Sequence, residues 1–225
     1  MTTSGVFVTG TDTGVGKTVV CVALLRALVA GGVRAVGMKP IAAGFDEALG
    51  VNADVAALAA AGNVDAPLAD RNPYAFSEPI APHVAAHREG ATIDLERVAQ
   101  AYARLAARAD VVVVEGAGGP LVPIGPRHDM LDIPKRLALP VVLVVGVRLG
   151  CLSHALSAEL AVRARGLRLA GWIATRVDPA MAQANASVAA LRERLPAPLL
   201  ADLAGADAPI PREALRLAGL PGETC

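Results

Sequence analysis

Aromatic residues are scarce in this chain: one tryptophan, two tyrosines and three phenylalanines among 225 residues. A large core must therefore be built from Ala, Val and Leu, which supply most of the 54% hydrophobic content. That mixture suits Val-rich strands covered by Ala/Leu helices. Cysteine is scarcer still. Cys21, Cys151 and Cys225 are far apart and odd in number, which excludes a disulfide framework or a metal knuckle and fits a reducing cytosol. Excess charge is also missing: 21 Lys and Arg balance 21 Asp and Glu, with no basic block to serve as a nucleic-acid footprint. No apolar run is long enough for a membrane span, since the stretch from Thr18 to Gly32 is short and carries Arg26. The opening MTTSGVFVTG lacks the basic start and apolar core of a signal peptide. These absences lead us to expect a soluble, cytoplasmic protein in one domain over residues 1–225.

What is present is an alternation of short Val-rich runs and segments of helical period. Strands are expected at Val6–Thr9, Arg34–Lys39, Asp110–Glu115, Val141–Gly146, Leu169–Thr175 and Pro198–Asp202. Helices are expected near 17–31, 52–61, 93–108, 129–138, 152–165 and 181–194. Several strands are apolar on both faces, as in a parallel sheet covered on each side. The fold class is α/β, one doubly wound domain with a mostly parallel sheet and helices on both faces. Residues 63–91, with Pro67, Pro73, Pro79 and Pro82, read as a long loop or lid, and 204–225 as a weakly determined tail.

In open parallel sheets ligands bind beyond the carboxyl ends of the strands. After the first strand comes GTDTGVGKT, after the second Lys39-Pro40, after the third Glu115-Gly-Ala-Gly-Gly, and after the fourth VRLGCLSH (147–154). These four segments are expected to form one site. In the first, Gly14 and Gly16 let consecutive N–H groups, Val15 included, face phosphate oxygens. Lys17 reaches the β/γ-phosphates, and Thr18 supplies a hydroxyl for Mg²⁺ at a helix N-terminus. The usual first glycine of such a loop is replaced by Thr11, and Asp12 follows it. Glu115 resembles the strand-end acid that holds Mg²⁺, with a turn cap as the alternative. Gly118 and its neighbours can present N–H groups to an oxyanion. Asp54 is either a second metal-side carboxylate or a helix-start acid favoured by the dipole. Lys39 is either a cation on the rim or a solvated strand end.

Other features are weaker. Gly150–Ser153 begin a helix whose N–H groups can take a carboxylate, or Ser153 is simply its cap. His83 and His87 have a spacing for one helix face but no third ligand. Asp129 and Asp132 read as a capping pair, and Cys151 as packing.

In order, GTDTGVGKT, MKP, NADVAAL, NPYAFSEPIAPH, VVVEGAGG, VVGVRLGCLSHAL and LAGWIA resemble the dethiobiotin synthetase family, over about Val6 to Leu200. The spelling Thr11-Asp12 is that family's variant of the phosphate loop. The resemblance implies a P-loop NTPase-type fold and a ring closure in biotin biosynthesis. In it, diaminopelargonic acid, CO₂ and MgATP give dethiobiotin, ADP and phosphate through a carbamate and its carbamic–phosphoric anhydride. It implies that Thr13, Gly16, Lys17 and Thr18 hold the triphosphate. Thr18, Asp54 and Glu115 would arrange Mg²⁺, and Lys39 would face both γ-phosphate and carbamate. Gly150, Cys151, Leu152 and Ser153 would hold the substrate's distal carboxylate across a homodimer interface. The chain departs from the pattern at Gly14, at Ala43 (a serine beside the carbamate in the family), and at Thr175, where the family has an Asn that reads adenine. It also replaces Gly-x-x-Pro by ADLAGAD (201–207). Base selectivity is left open, so other NTPs stay admissible co-substrates.

Two rivals share the phosphate loop. A partition-type switch ATPase would carry a lysine at Asp12 and act through a protein, DNA or membrane partner. An amidoligase of the cobyrinate type would need a glutaminase domain for which 225 residues leave no room.

Overall fold

The computed structural model describes residues 4–205 and 208–221. Six strands form one parallel sheet: β1 (Ser4–Gly10), β2 (Ala35–Met38), β5 (Val111–Glu115), β6 (Val141–Gly146), β7 (Leu169–Thr175) and β8 (Leu199–Leu203), in the order β2-β5-β1-β6-β7-β8. Strand β1 lies between β5 and β6, with Val8 opposite Glu115 and Gly10 opposite Val144. All six expected strands are present, to within a residue or two at their ends.

Side-chain alternation explains why these runs are apolar throughout. Val6 and Val8 pack on one face with Val111, Val113, Val142 and Val144, against α1 (Lys17–Ala30) and α9 (Arg212–Ala218). Phe7, Val112 and Val114 point the other way, toward α5 (Leu95–Ala106), while Leu143 and Val145 meet α7 (Cys151–Ala164) and α8 (Ala184–Arg194). A strand buried on both faces has no polar phase, because both side-chain sets lose water. Trp172, the one tryptophan, is fully buried in the second of these layers. Helix α2 (Ala53–Ala61) lies against α1 and β2, and α6 (Asp132–Leu137) against α5.

Residues 63–91, expected as a long loop or lid, carry short elements of their own. They contain α3 (Leu68–Arg71), β4 (Tyr74–Phe76) and α4 (Pro82–Arg88). Strand β4 pairs in parallel with β3 (Ile41–Ala43), Ile41 opposite Tyr74, to form a second, two-stranded sheet. Strands of three residues are too short to register as a period, and the prolines around them read as punctuation. The tail contains a further helix among its described residues. Helix α9 buries Ala214, Leu215 and Ala218 in the main core, so the described part of the tail closes one face of the sheet. Residues 206 and 207 of the ADLAGAD segment, and Cys225, lie outside the described residues.

Candidate active site

Helix α1 begins at the phosphate loop. Its N-cap, Gly16, has φ 86°, a left-handed conformation that glycine adopts without steric cost, and no side chain caps the helix. The first-turn N–H groups are therefore open toward the strand ends, where the dipole favours an anion. Gly14 is also left-handed, at φ 73°, with open space where a Cβ would stand. Across the gap Gly118 has φ 65°; a Cβ there would meet Val122 Cγ2 at 2.7 Å and Thr13 Oγ1 at 3.5 Å. The glycines after β5 thus let two loops approach each other.

Between these loops lies a cleft of about 750 Å³, bounded by Thr13, Lys17, Thr18, Lys39, Asp54 and Glu115. Glu115, at the end of β5, is 1% exposed. Its Oε1 accepts hydrogen bonds from Thr18 Oγ1 at 2.9 Å and Lys39 Nζ at 2.7 Å. Its Oε2 is buried without a partner. Lys39 Nζ also donates to Asp54 Oδ2 at 2.5 Å. Burial acts to lower the Lys39 pKa, but Glu115 and Asp54 outweigh it and raise the value, so the ammonium stays charged. Burial likewise acts to raise Asp54, and Lys39 overcomes it, holding the carboxylate below its ordinary value. Lys17 is pulled down, chiefly by burial; its Nζ donates to the Asp12 carbonyl at 2.9 Å. The cleft therefore holds two buried ammonium groups and two carboxylates.

Local structure fixes these positions. Pro40 stops β2, leaving Lys39 at its end, and the backbone there is clamped: Lys39 N–H donates to Arg71 O at 2.8 Å, and Asn72 Nδ2 donates to Lys39 O at 2.7 Å. Asp54 sits in the first turn of α2, whose N-cap Asn52 accepts from Asp54 N–H at 3.1 Å. It is thus both a helix-start acid and a member of the cleft. Ala43, at the end of β3, lines the cleft, as do Pro79–Pro82 of the segment expected as a loop or lid. The proline cluster was the available signal.

Other expected residues lie elsewhere. Thr175 is buried under the loop: its Oγ1 donates to Val15 O at 2.6 Å, and an added Cβ on Gly16 would meet its methyl at 3.3 Å. Its hydroxyl hydrogen thus goes to a carbonyl of the phosphate loop. Val15 itself is buried, and its carbonyl accepts that Thr175 hydrogen bond. Gly150, Cys151, Leu152 and Ser153 do not line this cleft. Cys151 packs in the core cluster that also holds Trp172, and α7 starts at Cys151 with Gly150 at φ 92° as N-cap. Ser153 is therefore inside the first turn and does not cap it. Asp129 and Asp132 accept turn N–H groups from Leu131 and Asp129 and pair with Arg165, which ties α6 to the end of α7. His83 and His87 both lie on α4. A link not foreseen joins Asp12 to Arg148, Oδ2 to Nη2 at 2.5 Å.

Residues 4–207 match the AAA domain family model. The ATP-dependent dethiobiotin synthetase BioD of Aromatoleum aromaticum is 51% identical over 218 residues, covering 95% of this chain and 97% of that protein. The chain belongs to the dethiobiotin synthetase family. The corresponding synthetase of Nitrosospira multiformis is 54% identical over 196 residues, 87% of this chain and 86% of its own. Among solved structures, the MinD cell division protein of Aquifex aeolicus superposes with a TM-score of 0.57 at 18% identity, covering 98% of this chain and 87% of that one. That likeness shows the fold alone. The switch-ATPase alternative is not favoured: at Asp12, where it requires a lysine, the chain has an acid paired to Arg148.

Proposed function

We infer that this protein is an ATP-dependent dethiobiotin synthetase, a ligase of biotin biosynthesis that closes the ureido ring of diaminopelargonic acid with CO₂. The observation that carries the reading is the shared oxygen of Glu115, which takes hydrogen bonds from both Thr18 and Lys39 in the cleft that also holds Lys17. One carboxylate thereby ties the phosphate-loop helix to the second strand.

The residues fit Mg²⁺. Glu115 Oε2 is buried and lacks a partner, and Asp54 is ionised. Thr18 gives its hydroxyl hydrogen to Glu115, which leaves the oxygen lone pairs available. Hard oxygen donors, few in number and completed by phosphate, suit this ion. When bound, Mg²⁺ supplies positive charge beside the triphosphate.

The reaction asks the protein to position reactants and balance charge. An unprotonated amine adds to CO₂, forming an N–C bond and losing a proton. A carbamate oxygen attacks the γ-phosphorus as the bond to ADP breaks. The second amine then attacks the carbamoyl carbon, expelling phosphate and closing the ring. Lys17 and Lys39 offset the anionic crowding of carbamate against triphosphate, and their burial strengthens that effect. Ala43 and Pro79–Pro82 wall the cleft with apolar surface, which limits water near the anhydride. No side-chain nucleophile is required.

The proposal includes a homodimer. Gly150–Ser153 lie outside their own cleft, α7 has no side-chain cap, and the neighbouring Leu149 is 91% exposed. A second copy placing its α7 start at the open side of the cleft accounts for these features together; sedimentation tests it. The decisive experiment on activity omits bicarbonate or the diamine in turn from protein and MgATP. ADP release that needs both is expected; release indifferent to the diamine overturns the reading.

A further inference from the structure

Asp12 has three contacts, and they run in different directions. Its Oδ1 accepts from Thr13 N–H at 2.7 Å, inside the phosphate loop. Its Oδ2 takes Arg148 Nη2 at 2.5 Å, from the turn after β6. Its carbonyl accepts from Lys17 Nζ at 2.9 Å. The Thr13 N–H first, and then the charge of Arg148, hold the carboxyl below its ordinary value, so it is anionic at neutral pH.

We propose that Arg148 is a positioning residue for the nucleotide: through Asp12 it orders the phosphate loop and sets the place from which Lys17 meets the triphosphate. Stability is a poor explanation for the pair. The two side chains are 39% and 49% exposed, and ion pairs so placed contribute little to folding. Geometry is the better one. The peptide of Asp12 leads into Thr13 and the left-handed Gly14, the part of the loop with open space around it. Arg148 itself is held: its carbonyl accepts from Cys151 N–H at 3.0 Å, in the turn that leads into α7. The pair thus ties a glycine-rich loop to the start of a 14-residue helix. Ordering the loop before ligand arrives lowers the cost of binding.

The inference rests on the nucleotide-site reading above, and its test separates the two. MgADP is titrated calorimetrically into the parent protein, Asp12→Asn, Arg148→Gln, Arg148→Lys and the double variant Asp12→Asn/Arg148→Gln. Asn keeps the Oδ1 acceptor for Thr13 N–H, but removes the charge and puts an amide –NH₂ where Oδ2 accepts from Arg148. Each neutralised single variant is expected to weaken binding about threefold to tenfold, with Arg148→Lys between them and the parent. The double variant is expected to lose no more than the weaker single, because both changes remove one contact. Thermal midpoints are expected to stay with the parent, which a merely structural role would not allow. Single variants that bind as the parent does, or losses that multiply in the double, overturn the positioning role. A parent protein that does not bind MgADP overturns the nucleotide-site reading, and the inference falls with it.

Discussion

Lys39 Nζ lies 2.7 Å from Glu115 Oε1, joining the ends of two neighbouring strands inside a buried cleft. The ammonium is also 2.5 Å from Asp54. One cation thus answers two carboxylates, while the second Glu115 oxygen is left without a partner. Such an arrangement is costly in the free protein and suits a site whose charges are completed on binding.

Removing that cation has two consequences. Lys39→Met is expected to lower turnover at least about 100-fold, as when a charge contact to the transition state is deleted. It is also expected to destabilise the free protein by about 3–5 kcal/mol, because Glu115 is left buried and unpaired. Adding Glu115→Gln in the same chain should recover much of the stability and none of the activity. Urea melts and steady-state assays on the three proteins check this.

Nucleotide stabilisation is expected to depend on the divalent ion. At a hundredfold excess over Kd, MgADP should stabilise the parent by about 2.7 kcal/mol. EDTA should remove most of this, and Thr18→Val and Glu115→Gln should each reduce it with Mg²⁺ present. Differential scanning calorimetry reads the shifts. An undiminished shift in both variants contradicts the assignment of these oxygens to Mg²⁺.

Acid titration tests the strand-entry pair. Asp110 accepts from Arg34 N–H at 3.1 Å and from Arg34 Nη2 at 2.9 Å, just before β5 and β2. These hydrogen bonds hold its pKa below the ordinary value. A lowered carboxylate contributes stability that is present above its unfolded pKa of about 3.9 and lost as pH falls through the folded value. Asp110→Asn should therefore melt below the parent at pH 7, and the gap should close as pH falls through that range. A gap of constant size from neutral to acid pH contradicts the pair's charge-based contribution.

Thiol reactivity reports on the core. Cys21 is fully buried on α1 and its pKa is pushed well up, first by burial and then by Glu115; Cys151 is buried in the core cluster of Trp172. In a Cys225→Ser variant, neither should react with an aromatic disulfide reagent in native buffer, and both should react in urea. Rapid native labelling of one equivalent would show that α1 or the start of α7 opens readily.

Local chemistry alone dictated a large part of this molecule. The six core strands, the phosphate-loop helix and the strand-end positions of Lys39 and Glu115 were all legible, because period, glycine placement and a stopping proline act within a few residues. The family's motifs were legible for the same reason, being short and contiguous. Tertiary structure alone decided the rest. That Lys39, Asp54 and Glu115 touch depends on β2 lying next to β5 and on where α2 packs. That Thr175 faces the underside of the phosphate loop depends on the register of β7 against β6. Strands β3 and β4 are three residues each and exist by pairing with one another across thirty positions of chain. Arg148 reaches Asp12 from 136 residues away. Sequence pattern records which face a residue must bury; which distant partner it then meets is set by the spatial order and register of the strands.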